Sequence, residues 1–369
     1  IAFCALLGES EDKEELKKRA KEAGADKFYF VDMREEFVKD YVFPALRVGA
    51  LYEDTYMLAT ALARPLIGKF LVDIAHENDA DAIAHGCTGK GNDQVRFELA
   101  AGALDDSLEI IAPVREWEFK SRQAELDYLT EQGLTIADTG GGKYSIDRNL
   151  WGISVECGEL EDPWVSPPAD SYVIVKPAED TPDEPKEVVI EFKDGNPVSV
   201  DGKKMDGVQL IEELNTIGGN YGVGRTDMVE NRVVGIKSRE IYEAPAGEIL
   251  YKALRALESL VLDKDYVHNK RKLAKEYGRL TYEGKWFSPL REGIQQYCDA
   301  TTKYLTGEAR VKLFKGSATV TGRRSPYSLY TEELATYTEK DRFSHQSAKG
   351  FIDIWGLPLK VMGKRNKKI

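Results

Sequence analysis

The chain has 369 residues and a formal net charge of −12, with 42% hydrophobic and 31% charged residues. These values predict a globular protein of two domains and argue against a nucleic-acid binder, which needs a basic face. The cysteines and histidines are dispersed and no apolar run is long enough to span a membrane, so we expect a cytoplasmic protein with no disulfide framework, metal site or membrane partner.

Residues 1–135 alternate the patterns of strands and helices. The apolar segment at 1–8 has no initiator Met and no basic leader, so it is a poor signal peptide and is expected to form a buried parallel strand. Further strands are predicted at 27–31, 80–84 and 108–113, and helices at 11–24, 34–41, 52–76, 94–101 and 121–133. This alternation predicts a parallel sheet covered on both faces, with ligands beyond the carboxyl ends of its strands.

The segment at 85–98, HGCTGKGNDQVRFE, lies at such a strand end. We call residues 85–92 the glycine-rich turn. It joins a predicted strand to a predicted helix, and the free N–H groups at a helix N-terminus can bind an anion. The P-loop pattern is not met, because Gly91 rather than Ser or Thr follows Lys90. From the residues alone, the segment is either a phosphate or carboxylate site or an ordinary βα connection with a solvated rim.

From about residue 136 the pattern changes. A hairpin is predicted at 188–193 and 197–200, joined through Asp194-Gly195-Asn196, and another strand pair at 311–315 and 319–321. Long helices are expected near 246–261, 266–277 and 290–305. The predicted domains are therefore an α/β domain at 1–135, an α+β domain at 136–330 and an arm at 331–369.

The segment at 85–98 resembles the signature of the argininosuccinate synthase family. Other segments match the same family in the same order: LYEDTY at 51–56, ARP at 63–65, YGVGR at 221–225, VENR at 229–232, SREIYEAPAG at 238–247 and SPYSLY at 325–330. The resemblance covers nearly the whole chain. It implies a parallel-sheet nucleotide-binding domain of the HUP type (adenine nucleotide alpha hydrolase-like), a larger α+β synthetase domain and a C-terminal oligomerisation arm.

The resemblance also implies an activity, that of a carbon–nitrogen ligase of arginine biosynthesis. In the family reaction, the ureido oxygen of L-citrulline attacks the α-phosphorus of ATP, which gives a citrullyl-adenylate and pyrophosphate. The amine of L-aspartate then displaces AMP to form argininosuccinate. Magnesium is implied with the ATP phosphates, and a homotetramer is implied, with residues 351–355 as candidate contacts. No residue stands out as a general base.

The residues that would bind each substrate follow from the same resemblance. Arg96 suits a carboxylate, because its fork can donate two parallel hydrogen bonds, and Glu230 can hold the α-ammonium group of citrulline. Without the family match, the expected role of Arg96 would be that of one member of an exposed ion pair on a helix. The citrulline positions are Tyr56, Asn92, Arg96, Ser145, Ser154, Glu230 and Tyr242, the aspartate positions are Thr88, Asn92 and Asp93, and the ATP positions are Ala5, His85, Gly86, Gly89, Lys90 and Gly91. Thr60 is expected on the substrate side, and Tyr52 and Trp151 are expected to pack.

The chain departs from the family pattern in two places. The Ser-Gly-Gly-Leu-Asp-Thr-Ser pyrophosphate loop with which the family begins is absent, and Leu6 and Glu9 stand where the family usually has a polar residue and Gln. We expect a trimmed synthase whose full-length product holds the loop. The alternatives are a truncated, non-catalytic binding or assembly protein, and another N-type ATP pyrophosphatase, against which the motifs around Glu230 and Tyr242 argue.

Overall fold

The computed structural model describes residues 1–8, 12–119, 122–133 and 143–367. They form two compact units, Ile1–Tyr327 and Ser328–Ile369. The first unit combines parallel strand pairs, antiparallel sheets and helices, which confirms the predicted mixed α/β class. The domain boundaries near residues 135 and 330 remain predictions.

The N-terminal part of the first unit holds parallel strands in two pairs. Strand β1 (Ala2–Leu6) pairs with β2 (Phe28–Asp32), and β3 (Ala82–Ala84) pairs with β4 (Glu109–Ile111). The prediction of parallel pairing is confirmed, although the pairs are separate ladders rather than one sheet. The prediction that the first strand is buried is wrong: among the described strands β1 pairs with β2 alone, and its residues are only half-buried.

Helices connect and cover these strands. They are α1 (Lys13–Glu22), α2 (Arg34–Glu36), which continues through a π-helical segment (Phe37–Val42) into α3 (Phe43–Val48), α4 (Ala59–Glu77), α5 (Asp93–Leu104) and α6 (Arg122–Glu131). The helix predicted at 52–76 begins only at Ala59. Residues Glu53, Asp54 and Leu58 have positive φ angles of 48°, 64° and 64°, and a right-handed helix cannot contain them.

Antiparallel sheets make up much of the rest of the first unit. Their strands are β5 (Ser145–Asn149), β6 (Gly152–Glu156), β7 (Lys186–Lys193), β8 (Asn196–Val200), β9 (Lys203–Lys204), β10 (Arg225–Asn231), β11 (Lys237–Glu243), β12 (Gly307–Phe314) and β13 (Ser317–Arg324). One sheet has the order β10-β11-β6-β5, and the other has the order β13-β12-β7-β8-β9. Both predicted strand pairs, β7–β8 and β12–β13, are confirmed. We call the first of these sheets the site sheet.

Further helices complete the core. They are α7 (Gly207–Asn220), α8 (Pro245–Val261), α9 (Lys264–Tyr282) and α10 (Pro289–Asp299). Helices α7 and α8 pack against the five-stranded sheet, and α9 and α10 pack against α3 and each other. The prediction of one helix over 290–305 is wrong in its end, because α10 ends at Asp299 and a separate 3₁₀ turn follows at Thr302–Tyr304. Helix α9 runs five residues past its predicted end. A Cβ on Gly278 would lie 2.2 Å from the Leu51 carbonyl oxygen, and this close approach brings Tyr282 to the site sheet.

The second unit contains helices α11 (Glu332–Ala335), α12 (His345–Trp355) and α13 (Leu357–Asn366). Helix α12 exposes Phe351, Ile352, Ile354 and Trp355, with the rings of Phe351 and Trp355 stacked at a centroid distance of 5.7 Å. Such a row of large exposed apolar side chains is unusual for an isolated chain. In the described part of the chain, every helix is too short or too polar to cross a membrane.

Candidate active site

The site sheet displays polar side chains on one face. Residues alternate between the two faces of a strand, so every second residue points the same way. The register aligns Asp147 of β5 with Ser154 of β6, and Ser154 with Tyr242 of β11. The residues that this face directs into one cavity are Ser145, Asp147, Ser154, Glu156, Glu230, Glu240 and Tyr242.

The other wall of the cavity comes from three helices and the glycine-rich turn. Its residues are Tyr56, which precedes α4, Thr60 in the first turn of α4, Gly86, Cys87, Thr88, Gly91 and Asn92 of the glycine-rich turn, Asp93 and Arg96 of α5, and Tyr282 of α9. Arg232 lies at the rim of the sheet. The enclosed volume is about 360 Å³, within the range of small-ligand sites. By contrast, a cavity of about 430 Å³ near Gly8 and α7 has only Arg148 and Glu212 as charged lining residues.

Glu230 is a fixed acceptor on the floor of this cavity. Its side chain is only 2% exposed. The hydroxyl of Tyr242 donates to its Oε2 at 2.6 Å, and the hydroxyl of Tyr282 donates to its Oε1. Burial, followed by nearby carboxylates, raises the pKa of both tyrosines, so both keep their protons and remain donors. The carboxylate is therefore held in one orientation, suited to a cationic group.

Asp93 lies between two arginines at the N-terminus of α5. Its Oδ2 is 2.7 Å from Nη2 of Arg64, and its Oδ1 is 3.0 Å from Nη1 of Arg96. Burial alone would raise the pKa of Asp93, but the two guanidinium groups hold it below its usual value. Arg96 also donates from Nε to the Tyr282 carbonyl oxygen at 3.0 Å. No described residue accepts from its Nη2, which leaves a donor for a carboxylate ligand.

The glycine-rich turn is open where it faces the cavity. A Cβ on Gly86 would meet nothing within 4 Å, and one on Gly91 would make only ordinary contacts, the nearest at 3.6 Å with Thr88. Neither glycine has a positive φ, so the fold of the chain itself does not demand glycine there. The free space lies beside the N-terminus of α5, where backbone N–H groups can receive an anion. This geometry fits a ligand phosphate.

Two side chains hold the turn in place. The Nε2 atom of His85 is 3.1 Å from the Glu98 carboxylate, and its Nδ1 accepts from the backbone N–H of Cys87 at 3.3 Å. Asn92 donates from Nδ2 to the Tyr282 hydroxyl at 2.8 Å, and its Oδ1 accepts from the backbone N–H of Val233 at 2.9 Å. The structure thus gives His85 a supporting position and places Asn92 between the two walls.

The structure brings together every residue that the resemblance assigns to the two amino acids. All nine line the cavity: Tyr56, Thr88, Asn92, Asp93, Arg96, Ser145, Ser154, Glu230 and Tyr242. Among the ATP positions, Gly86 and Gly91 line it, whereas His85, Gly89 and Lys90 lie elsewhere on the turn and Ala5 lies in β1. Glu9 is outside the described residues.

Sequence reasoning missed several charged residues of the cavity. They are Asp147, Glu156, Arg232 and Glu240. Tyr282 was missed as well. The signal that could have found the carboxylates is the two-residue alternation Ser-x-Asp at 145–147, Ser-x-Glu at 154–156 and Glu-x-Tyr at 240–242. Tyr52 and Trp151 do pack, as predicted: Tyr52 stacks on Tyr282 at a centroid distance of 3.5 Å, and Trp151 is buried.

The described residues offer no metal centre of the protein's own. Among them, no three His, Cys, Asp or Glu side chains are grouped in a way that could hold a metal ion.

Two family models match the chain. The arginosuccinate synthase N-terminal HUP domain matches residues 1–135, and the arginosuccinate synthase C-terminal domain matches residues 144–362. The chain is 55% identical to the argininosuccinate synthase of Chlorobium phaeobacteroides (strain BS1) over 361 residues, which cover 98% of this chain and 90% of the relative. It is also 53% identical to the argininosuccinate synthase of Chlorobaculum tepidum over 367 residues, which cover 100% of this chain and 92% of the relative.

Proposed function

The chain belongs to the argininosuccinate synthase family, and we propose that it condenses L-citrulline with L-aspartate at the expense of ATP, as an enzyme of arginine biosynthesis. The observation that best supports this activity is the convergence of all nine amino-acid positions on one cavity. The products are argininosuccinate, AMP and pyrophosphate. The reaction joins two zwitterions beside a phosphate, and the cavity offers both carboxylates and guanidinium groups for them.

Citrulline lies along the site sheet in this proposal. Glu230 accepts from its α-ammonium group, and the fixed carboxylate costs little reorganisation on binding. Arg96 binds the α-carboxylate through its remaining donor, close to Tyr56 and Asn92. Ser154 and Tyr242 are paired in register on neighbouring strands, and Ser145 lies further along the same face.

Aspartate binds on the opposite wall, at Thr88, Asn92 and Asp93. Asn92 bridges the walls, since its amide reaches Tyr282 on one side and Val233 on the other. A residue in this position can hold both amino acids in the geometry for attack. The main contribution to rate is then positioning of the amine against the activated carbon, and this agrees with the lack of an evident general base.

ATP lies against the glycine-rich turn and the N-terminus of α5. The open space at Gly86 and Gly91, together with the helix N–H groups, suits phosphate oxygens, and the exposed Lys90 adds a positive charge to the same turn. Ala5 and His85 complete the ATP set that the resemblance implies. Magnesium accompanies the phosphates, because it binds through phosphate oxygens and water more readily than through an all-protein cage.

The activity itself is the first test. We expect the protein, incubated with ATP and magnesium, to release AMP only when citrulline and aspartate are both present. The full-length gene product should be assayed beside the 369-residue chain, with each amino acid omitted in turn as the control. The absence of AMP from full-length protein with both amino acids present would contradict the proposed function and favour a non-catalytic role.

The oligomeric state is a second expectation. We propose a cytoplasmic homotetramer in which the residues exposed on α12, including Phe351 and Trp355, become buried between chains. Light scattering should return the mass of four chains, and the double variant Phe351→Ser, Trp355→Ser should return a smaller mass. The exposed variant Lys349→Ser on the same helix is the control. A monomer for the unaltered protein would contradict the proposal.

A further inference from the structure

Arg232 occupies the tight turn between β10 and β11, at the rim of the cavity. We call residues 232–236 the hairpin turn. The Arg232 N–H donates to the Ile236 carbonyl oxygen at 2.8 Å, and the Gly235 N–H donates to the Arg232 carbonyl oxygen at 2.9 Å. The arginine side chain is 12% exposed. It folds back over the sheet, where its Nη2 donates to Glu156 of β6 and, at 2.8 Å, to Glu240 of β11. Two carboxylates from neighbouring strands thus share one guanidinium nitrogen.

The same hairpin turn contacts the glycine-rich turn at two points. The Nη1 of Arg232 donates to the Lys90 carbonyl oxygen at 3.3 Å, and the Val233 N–H donates to Oδ1 of Asn92 at 2.9 Å. The glycine-rich turn has a weak internal bond of its own, Gly91 N–H to Thr88 O at 3.3 Å. His85, through Glu98, and Gln94, whose Nε2 donates to the Gly91 carbonyl oxygen at 3.1 Å, also hold this turn. The hairpin turn adds the anchors at Lys90 and Asn92.

The orientation of the guanidinium group depends on the two carboxylates. Its Nε is buried and has no acceptor among the described residues, so only the Nη atoms are anchored. Burial, followed by the charge of Glu156, raises the pKa of Glu240 to about 8. Glu156 and Glu240 both accept from the same nitrogen, and together they fix the direction of the guanidinium group.

We propose that Arg232, oriented by Glu156 and Glu240, is a positioning residue that holds the glycine-rich turn through the Lys90 carbonyl and thereby sets the affinity for aspartate. The inference rests on the proposed function, which assigns aspartate to Thr88 and Asp93. Thr88 is two residues from Lys90. Loss of the hydrogen bond to the Lys90 carbonyl oxygen would therefore shift Thr88 and the part of the turn that is proposed to bind aspartate. The citrulline contacts on the site sheet, such as Glu230 and Tyr242, have their own anchors and stay in place.

The test compares the two amino acids in steady-state kinetics. Arg232→Lys keeps the charge but cannot reach three acceptors at once, and we expect it to raise KM for aspartate about ten-fold, while KM for citrulline changes less than about two-fold. Glu156→Gln alters one of the two acceptors that orient Arg232 and should also raise KM for aspartate more than KM for citrulline. Arg271→Lys, an exposed residue of α9, is the matched control and should leave both constants unchanged.

The outcomes separate positioning from general stability. A purely structural arginine would lower the melting temperature and raise both KM values together, and that result would overturn the proposal, as would an unchanged KM for aspartate in Arg232→Lys. If Arg232→Lys does not fold, Glu156→Gln carries the same comparison, and an equal rise of the two KM values there would be equally decisive. Failure of the unaltered full-length protein to form AMP would instead count against the proposed function.

Discussion

Replacing Glu230 by glutamine should weaken citrulline binding about a hundred-fold, which corresponds to about 2.7 kcal/mol. Glu230 is 2% exposed and accepts from the hydroxyls of Tyr242 and Tyr282. The amide keeps the shape of the side chain but removes its negative charge. An α-ammonium group bound there would lose a charge-assisted hydrogen bond to a buried carboxylate, and such bonds are stronger than those between neutral groups. Titration calorimetry with citrulline measures the change directly.

Two variants show whether the effect comes from the charge. Tyr242→Phe removes one of the two donors that orient Glu230 but leaves the carboxylate, so we expect a smaller loss, about ten-fold. Glu213→Gln makes the same carboxylate-to-amide change at an exposed position of α7 and should leave citrulline binding unchanged. If Glu230→Gln bound citrulline within two-fold of the unaltered protein, Glu230 could not be the partner of the ammonium group.

The local pattern of the chain predicts much of the fold. The parallel strand pairs, the helices that follow them and the β7–β8 hairpin arise from alternation, apolar runs and turn residues. The prediction fails where backbone geometry overrides composition. Positive φ angles at Glu53, Asp54 and Leu58 delay α4 by seven residues, although these residue types do not themselves forbid a helix. The burial of β1 was overestimated because an apolar run does not reveal how many neighbours a strand has.

The sequence likewise predicts some residues of the candidate site and misses others. Motifs of the family identify the glycine-rich turn and the positions Glu230 and Tyr242. These two residues and five of the eight residues of the turn line one cavity. Asp147, Glu156 and Glu240 belong to the same cavity only because β5, β6 and β11 pair in one register. Long-range pairing of that kind is not evident in a single sequence. Tyr282 enters through the close approach of α9 at Gly278, which local pattern also does not show.

Asp93 is the residue whose change should cost the most stability. Its carboxylate is the common partner of Arg64 and Arg96, and its side chain is 23% exposed. Asp93→Asn leaves two largely buried guanidinium groups with a neutral partner. Removal of one member of a buried ion pair costs about 3 kcal/mol, because the remaining charge is uncompensated. Urea denaturation at pH 7 should therefore show the free energy of unfolding lowered by about 3 kcal/mol.

Urea denaturation at low pH tests whether the charge of Asp93 is the source of this stabilisation. The two arginines hold the pKa of Asp93 below its usual value in the folded chain. A lowered carboxyl pKa stabilises the fold above the unfolded value of about 4, and this stabilisation is lost as pH falls through the folded pKa. The gap between the unaltered protein and Asp93→Asn should therefore narrow from pH 7 to about pH 3. Asp147→Asn changes a weaker partner of Arg64, 3.5 Å away and 53% exposed, and should cost less than about 1 kcal/mol. An equal gap at both pH values would mean that Asp93 stabilises the fold by packing rather than by its charge.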